Sequence, residues 1–182
     1  MYILGISAYY HESSVALIKK GKIVCFIKEE WLTRIKGDNS FPRNAISFLK
    51  KKYKLSDYNL DFVCFYEKPF TSWWNLFKYS INRPIRNKEF LINHVKNFSS
   101  SSIFFKKDLK KTIQIKSNKI VFSSHHLSHA LYALSIVKNK KDFAVISIDG
   151  VGEGITSSIF NIKEKEIECI QHTNYPNSLG LF

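Results

Sequence analysis

The chain has 182 residues, 45% hydrophobic and 15% aromatic, with only 4 Pro and 7 Gly; this composition supports one packed core and excludes a disordered or Pro/Gly-rich linker protein. Lys and Arg number 28 against 15 Asp and Glu, a net charge of +13, but the basic residues are scattered, with short groups at Lys50–Lys52, Lys106–Lys111 and Lys138–Lys141; they read as solvated surface, and no nucleic-acid-reading motif accompanies them. Cys25, Cys64 and Cys169 stand apart with no metal-ligand spacing, no apolar run approaches the roughly 20 residues that cross a bilayer, and Met1–Gly5 lacks the features of a signal peptide, so a cytoplasmic location without a membrane partner is expected.

Tyr2–Ser7 reads as a strand, Ser13–Ile18 as a second and Ile23–Ile27 as a third. Ala8–Glu12 forms a loop after the first, and Lys20-Gly21-Lys22 is the turn before the third. A polar loop, Thr33–Ser40, follows. Pro42 is expected in the first turn of the next helix, with Ser40 as its cap. Ala45, Phe48, Leu49 and Tyr53 recur at helical spacing through Asn44–Tyr53. Phe62–Tyr66 reads as a buried strand closed by Glu67-Lys68-Pro69. From about 70 to about 117 the pattern is irregular and reads as a helical insertion. It holds Trp73 and Trp74, a break at Pro84, a helical stretch Phe90–Phe98, a joint at Ser99–Ser102 and a basic-faced helix over Ile103–Ile115. Regularity then returns with a strand at Lys119–Phe122 and a helix over His126–Val137. Strands at Phe143–Ile148, Ile155–Ile162 and Ile167–Gln171 complete the chain, with a turn at Lys163–Lys165.

The opening pattern recurs near the end. Strand, small-residue loop, strand, hairpin and strand occur over Ile3–Ile27 and again over Ala144–Gln171. Helices alternating with single strands lie between the copies, as a duplicated β-β-β-α-β-α domain would show. In that frame the chain covers a first copy and only the beginning of a second.

Three clusters could carry chemistry. His125 and His129 are four residues apart, so on a helix they share one face and can grip a metal together; the same run also fits an ordinary polar helix start. His126 points elsewhere and could move a proton. Asp149 ends a strand and could supply a further ligand, while Gly150 and Gly152 would let the backbone approach phosphate oxygens, or simply form a tight turn. The third cluster is the loop carrying His11, which the repeat places opposite Asp149–Gly154. Arg34 and Lys36 could hold phosphate or carboxylate, although surface ion pairs are the commoner use of such residues.

Taken together, these motifs resemble the N-terminal part of the carbamoyltransferase family of antibiotic and nodulation-factor biosynthesis, whose core domain is related to Kae1. The resemblance rests on Leu4-Gly5-Ile6-Ser7 through His11-Glu12-Ser13-Ser14, Glu29-Glu30 through Thr33-Arg34 to Phe41-Pro42, and Glu67-Lys68-Pro69. It continues through His125-His126-Leu127-Ser128-His129-Ala130, Ile148-Asp149-Gly150-Val151-Gly152-Glu153 and Tyr175-Pro176-Asn177-Ser178-Leu179-Gly180. It implies an α/β fold of the actin/hexokinase type, also called ribonuclease H-like. Residues 1–142 would form the first actin-like subdomain, including the insertion, and 143–182 the truncated start of the second.

The implied reaction is ATP-dependent carbamoyl transfer from carbamoyl phosphate, through carbamoyl-adenylate, to the hydroxyl of a small-molecule acceptor. His125, His129 and Asp149 would hold a metal, with Fe2+ the expected ion. His11 and His126 would lie near the carbamoyl group, while Arg34, Lys36, Gly150 and Gly152 would contact the cofactor. Gly37 stands where the family usually has histidine. Family members are roughly three times as long, so this chain alone is expected to be inactive. It is read either as the N-terminal portion of the enzyme or as a non-catalytic or split subunit that acts with a second chain.

Overall fold

The computed structural model describes residues 1–82, 102–137, 142–164 and 166–181. The expected break at Pro84, the helical stretch Phe90–Phe98 and the basic group Lys138–Lys141 lie outside the described residues. The architecture is α/β, with two sheets. In the first, β1 (Tyr2–Ser7), β2 (Ser14–Lys19) and β3 (Lys22–Lys28) form an antiparallel meander, extended in parallel by β4 (Phe62–Phe65) and β5 (Ile120–Phe122), in the order β3-β2-β1-β4-β5. The turn between β2 and β3 places Lys20 and Gly21 at positive φ, the geometry that a two-residue hairpin of this hand requires.

Alternation along the strands decides which face is buried. Leu4, Ile6, Val15, Leu17, Val63 and Phe65 all point to one face and are essentially inaccessible. Two helices cover them: α2 (Arg43–Tyr53), through Ala45, Ile46 and Leu49, and α4 (Phe105–Thr112), through Phe105 and Leu109. Phe65 and Phe105 meet with ring centroids 4.3 Å apart. Burying each large side chain of this kind stabilises the fold by about 1.5–3 kcal/mol. The short helix α1 (Glu30–Thr33) follows β3, and α3 (Pro69–Asn82) follows β4.

The structure corrects two local expectations. Pro42 precedes α2, and Ser40 does not cap it; the Ser40 hydroxyl bonds Asp38 instead. The cap comes from far away in sequence, since the buried Glu29 carboxylate accepts the backbone N–H groups of Asn44 and Ala45 and the Asn44 side-chain amide. The insertion read as helical from about 70 opens with a 14-residue helix, Pro69–Asn82, which Pro69 starts at a position needing no N–H donor. The helix expected over Ile103–Ile115 is shorter: a 3-10 turn at Ser102–Phe104 leads into α4, and Ile113 is already extended.

The second sheet is an antiparallel meander of β6 (Asp142–Gly152), β7 (Ile155–Lys163) and β8 (Glu166–Asn174). Helix α5 (His125–Ile136) leaves β5 of the first sheet and packs on this one, where Ala130 meets Val145, Phe160 and Ile162. β6 runs four residues beyond the expected strand end. Asp149 and its glycines therefore lie in an irregular stretch of strand, with a register shift between Ile148 and Gly152, and the hairpin turn itself is Glu153-Gly154, both at positive φ.

Candidate metal centre

β1, β4 and β5 run parallel, in register through Ile6, Phe65 and Phe122. Their C-terminal ends therefore open at one edge of the sheet, where ligand crevices form in α/β folds. Tyr9–His11 follows β1, Tyr66–Lys68 follows β4, and Ser123–His125 follows β5.

α5 starts at this edge. Ser124 occupies its N-cap position without a side-chain cap, and the His125 N–H donates instead to Glu153 Oε1 at 3.1 Å. The Ser128 hydroxyl, one turn on, donates to the Tyr66 carbonyl at 2.8 Å and locks the helix onto the β4 end. One helical turn separates His125 from His129, and their Nε2 atoms lie 3.2 Å apart. Asp149 Oδ2 approaches from β6, 2.7 Å from His125 Nε2 and 4.0 Å from His129 Nε2. All three donor atoms lie within 4.8 Å of one another. The other Asp149 oxygen, Oδ1, accepts the Gly150 N–H at 2.7 Å. The His125 contact, more than any other, holds the Asp149 carboxyl down at about 2. Burial pushes His129 down, and the neighbouring His125 adds to this, so its neutral, ligating form is favoured.

The support of this trio was not legible in the sequence. Glu153 is buried, and its Oε1 accepts N–H groups from both Lys68 and His125 while its carbonyl accepts the Asn75 amide at 2.8 Å. Gly152 is needed for space, since a Cβ there would lie 2.9 Å from His125 Cβ and nearer still to its ring. Ser178 donates to the Asp149 and Gly150 carbonyls, and Gly180 lies so close to Asp149 that a Cβ would strike its backbone. Glu67, immediately after β4, lies 3.9 Å from His125 Nδ1. Burial pushes its carboxyl up, opposed by a Ser102 hydroxyl at 2.7 Å and by His125. In the sequence these acids appear only within Glu67-Lys68-Pro69 and Gly152-Glu153, and neither run shows what its acid touches.

The remaining expected site residues are placed differently. His126 is 3% exposed, and both of its ring nitrogens are engaged by β7: Nδ1 with Ser158 Oγ at 2.8 Å and Nε2 with the Ile155 carbonyl at 3.1 Å. A carbonyl only accepts, so Nε2 carries the proton. His11 is exposed, with its ring against Tyr10, and lines an open cleft of about 570 Å³ with Glu12, Lys28 and Gly37. Arg34 and Lys36 are exposed and do not line it; Arg34 ends α1 at positive φ, and the Gly37 N–H donates to Glu30. Gly150 and Gly152 lie against Leu181 and His125 respectively. Among the described residues no helix is long and apolar enough to cross a membrane.

Residues 2–182 match the family model described as the carbamoyltransferase N-terminus. An uncharacterized protein of Synechocystis is 33% identical over 187 residues, spanning 99% of this chain and 30% of that protein. The nodulation protein NolNO of Sinorhizobium fredii is 22% identical, spanning 96% of this chain and 25% of that protein. An uncharacterized protein of Methanocaldococcus jannaschii is 25% identical, spanning 94% and 27%. The chain thus covers between a quarter and a third of these relatives. Among solved structures, an Aquifex aeolicus member of the Ppx/GppA family aligns with 15% identity and a TM-score of 0.38, covering 98% of this chain and 52% of that one.

Proposed function

The chain belongs to the carbamoyltransferase N-terminal family, and from that premise we propose that it is the N-terminal portion of an ATP-dependent O-carbamoyltransferase. In this reading carbamoyl phosphate is the donor, carbamoyl-adenylate the activated intermediate and a small-molecule hydroxyl the acceptor. The acceptor oxygen attacks the carbamoyl carbon, the bond from that carbon to the adenylate phosphate oxygen breaks, AMP leaves and the hydroxyl proton is lost. Residues 1–142 serve as a first actin-like subdomain and 143–182 as the start of a second.

The observation that carries the reading is the meeting of His125, His129 and Asp149 at the strand ends. The donor set fits a divalent ion: two imidazole nitrogens 3.2 Å apart suit metal–nitrogen bonds of about 2.0–2.1 Å. The family resemblance favours Fe2+ among the ions such nitrogen and oxygen donors accept. When bound, the metal would supply positive charge near the oxygens of the transferred group. The chain's own residues would hold that charge in place: Asp149 stays ionised, burial favours the neutral form of His129, and His125 turns its Nε2 to the same point. His11, exposed at the cleft lip, is the candidate for polarising the carbamoyl group or taking the acceptor proton. Arg34 and Lys36, both exposed on the segment that leads to Gly37 at that cleft, are the candidates for meeting phosphate oxygens. Nothing in this scheme is assigned to His126, whose nitrogens are already engaged.

A second reading, a subunit that acts only with a chain supplying the remaining regions, is favoured by the second sheet. Ile146 and Ile148 on β6 and Ile170 on β8 are each more than half exposed, a poor match for solvent. The two readings share one test. Protein purified anaerobically should carry about one metal per chain, lost in the His125→Ala, His129→Ala double variant. ATP, labelled carbamoyl phosphate and a panel of alcohols are then supplied to the chain alone and with a partner carrying the missing regions. Label transfer dependent on His125 supports the enzyme reading, and a requirement for the partner supports the split one. No transfer under either condition overturns both.

A further inference from the structure

The structure leaves one atom of the metal trio unexplained. His125 Nδ1 is buried and lacks a hydrogen-bond partner. Buried ring nitrogens are ordinarily satisfied, and the carboxylate facing this one is Glu67, with Oε2 at 3.9 Å. The Glu67 side chain is only 12% exposed. Its Oε1 is anchored by the Ser102 hydroxyl at 2.7 Å, so Oε2 is the oxygen turned toward the imidazole.

The imidazole has little freedom to turn elsewhere. Gly152 lies against its ring, and Tyr66 stacks edge-on with centroids 5.4 Å apart. Its backbone N–H is held by Glu153. A movement of about 1 Å along the ring plane would bring Nδ1 within hydrogen-bond distance of Oε2.

Chemistry supplies the direction. A metal on His125 Nε2 requires that nitrogen to be unprotonated, which puts the ring proton on Nδ1. There it needs a buried acceptor, and a carboxylate in this place fixes the tautomer and makes Nε2 a better donor. His129 has no such need, since its side chain is 53% exposed and water can reach its second nitrogen. Resting on the metal reading above, we propose that Glu67 is the positioning residue of the centre: it accepts the Nδ1–H of His125 and so presents Nε2 beside His129 and Asp149.

The test is cobalt binding to the metal-free 182-residue chain, followed by visible absorbance, with Glu67→Ala and Glu67→Gln variants. Ala should weaken cobalt about 100-fold and Gln about 10-fold, because an amide oxygen still accepts the proton but without charge; together these span the usual range for such partners. In zinc-loaded protein, histidine nitrogen spectra should show a protected Nδ1–H on His125 that Glu67→Ala loses and Glu67→Gln partly keeps. A variant that merely loosened the fold would not produce this graded signature. Should Glu67→Ala fail to fold, Glu67→Gln, nearly the same size, decides alone. Cobalt affinity within twofold of wild type in every folded variant would overturn the role of Glu67 while leaving the metal site standing. A wild-type chain that binds no cobalt would overturn the metal reading, and the proposal with it.

Discussion

Gly152→Ala probes the packing that aims His125. The added Cβ would lie 2.9 Å from His125 Cβ and nearer still to Cγ and Cδ2, whereas carbon atoms rest at about 3.5–4.0 Å. The side chain must therefore retreat by at least about 0.6 Å at its root, and further at the ring. The strand cannot yield instead, because Gly152 pairs with Ile155 and the next residue is tied to Lys68 and His125. Overfilling of this kind destabilises by about 1–3 kcal/mol. Contacts that orient a metal ligand are worth about 10–100-fold in metal affinity, so cobalt affinity is expected to fall at least tenfold.

The assay pairs cobalt titration with urea unfolding of metal-free protein, and adds a His125→Ala background. Without the imidazole there is nothing to strike, so the stability loss from Gly152→Ala should shrink to about 0.5 kcal/mol or less, a clear departure from additivity. Gly150→Ala is the control: its Cβ would meet only the Leu181 side chain, at 3.2 Å, and that chain end can move. Full additivity together with wild-type cobalt affinity in Gly152→Ala would refute the packing argument.

Glu29→Ala removes three hydrogen bonds from the start of α2 and leaves the Asn44 and buried Ala45 N–H groups without their acceptor; a loss of about 2–4 kcal/mol in urea unfolding is expected, and a loss below about 0.5 kcal/mol would show that solvent replaces the carboxylate. His126 is held neutral chiefly by burial, which lowers its proton affinity in the folded state. The unfolded chain therefore takes up the proton first, so stability present above the ordinary histidine value of about 6.5 should decline as pH falls below it. His126→Gln should flatten that decline between about pH 7 and 5, and an unchanged slope would place its origin elsewhere. Ser178→Ala removes the donor to the Asp149 and Gly150 carbonyls; it should weaken cobalt severalfold without shifting the unfolding of α2, and unaltered binding would show that β6 alone positions Asp149.

What could be read from the sequence follows the range of the interactions involved. The first meander was legible because a period-2 apolar pattern and a Lys-Gly turn are local signals, and Leu4, Ile6, Val15 and Leu17 all point inward as that period requires. The α2 cap was not, because a neighbouring serine is the usual solution while the actual donor pair is met by Glu29, on another element. The Trp73-Trp74 segment was read only coarsely, as part of a helical insertion, although Phe70, Trp73, Trp74 and Phe77 fall at the i, i+3, i+4, i+7 spacing of one face of α3.

The same distinction divides the site. His125 and His129 announce themselves by a spacing of four, and Asp149 by following an apolar strand; each is a signal carried within a few residues. What makes them a centre is not local. Glu67 reaches His125 across 58 positions, Glu153 reaches Lys68 across 85, and Ser178 reaches Asp149 across 29. A glycine shows the difference most clearly. Gly152 has the composition of a phosphate-cradling turn, yet its neighbour is an imidazole ring, and its lack of a side chain leaves room for that ring. Residues that carry chemistry can thus be nominated from spacing, whereas those that aim them are identified only once β4, α5 and β6 have been brought to one edge.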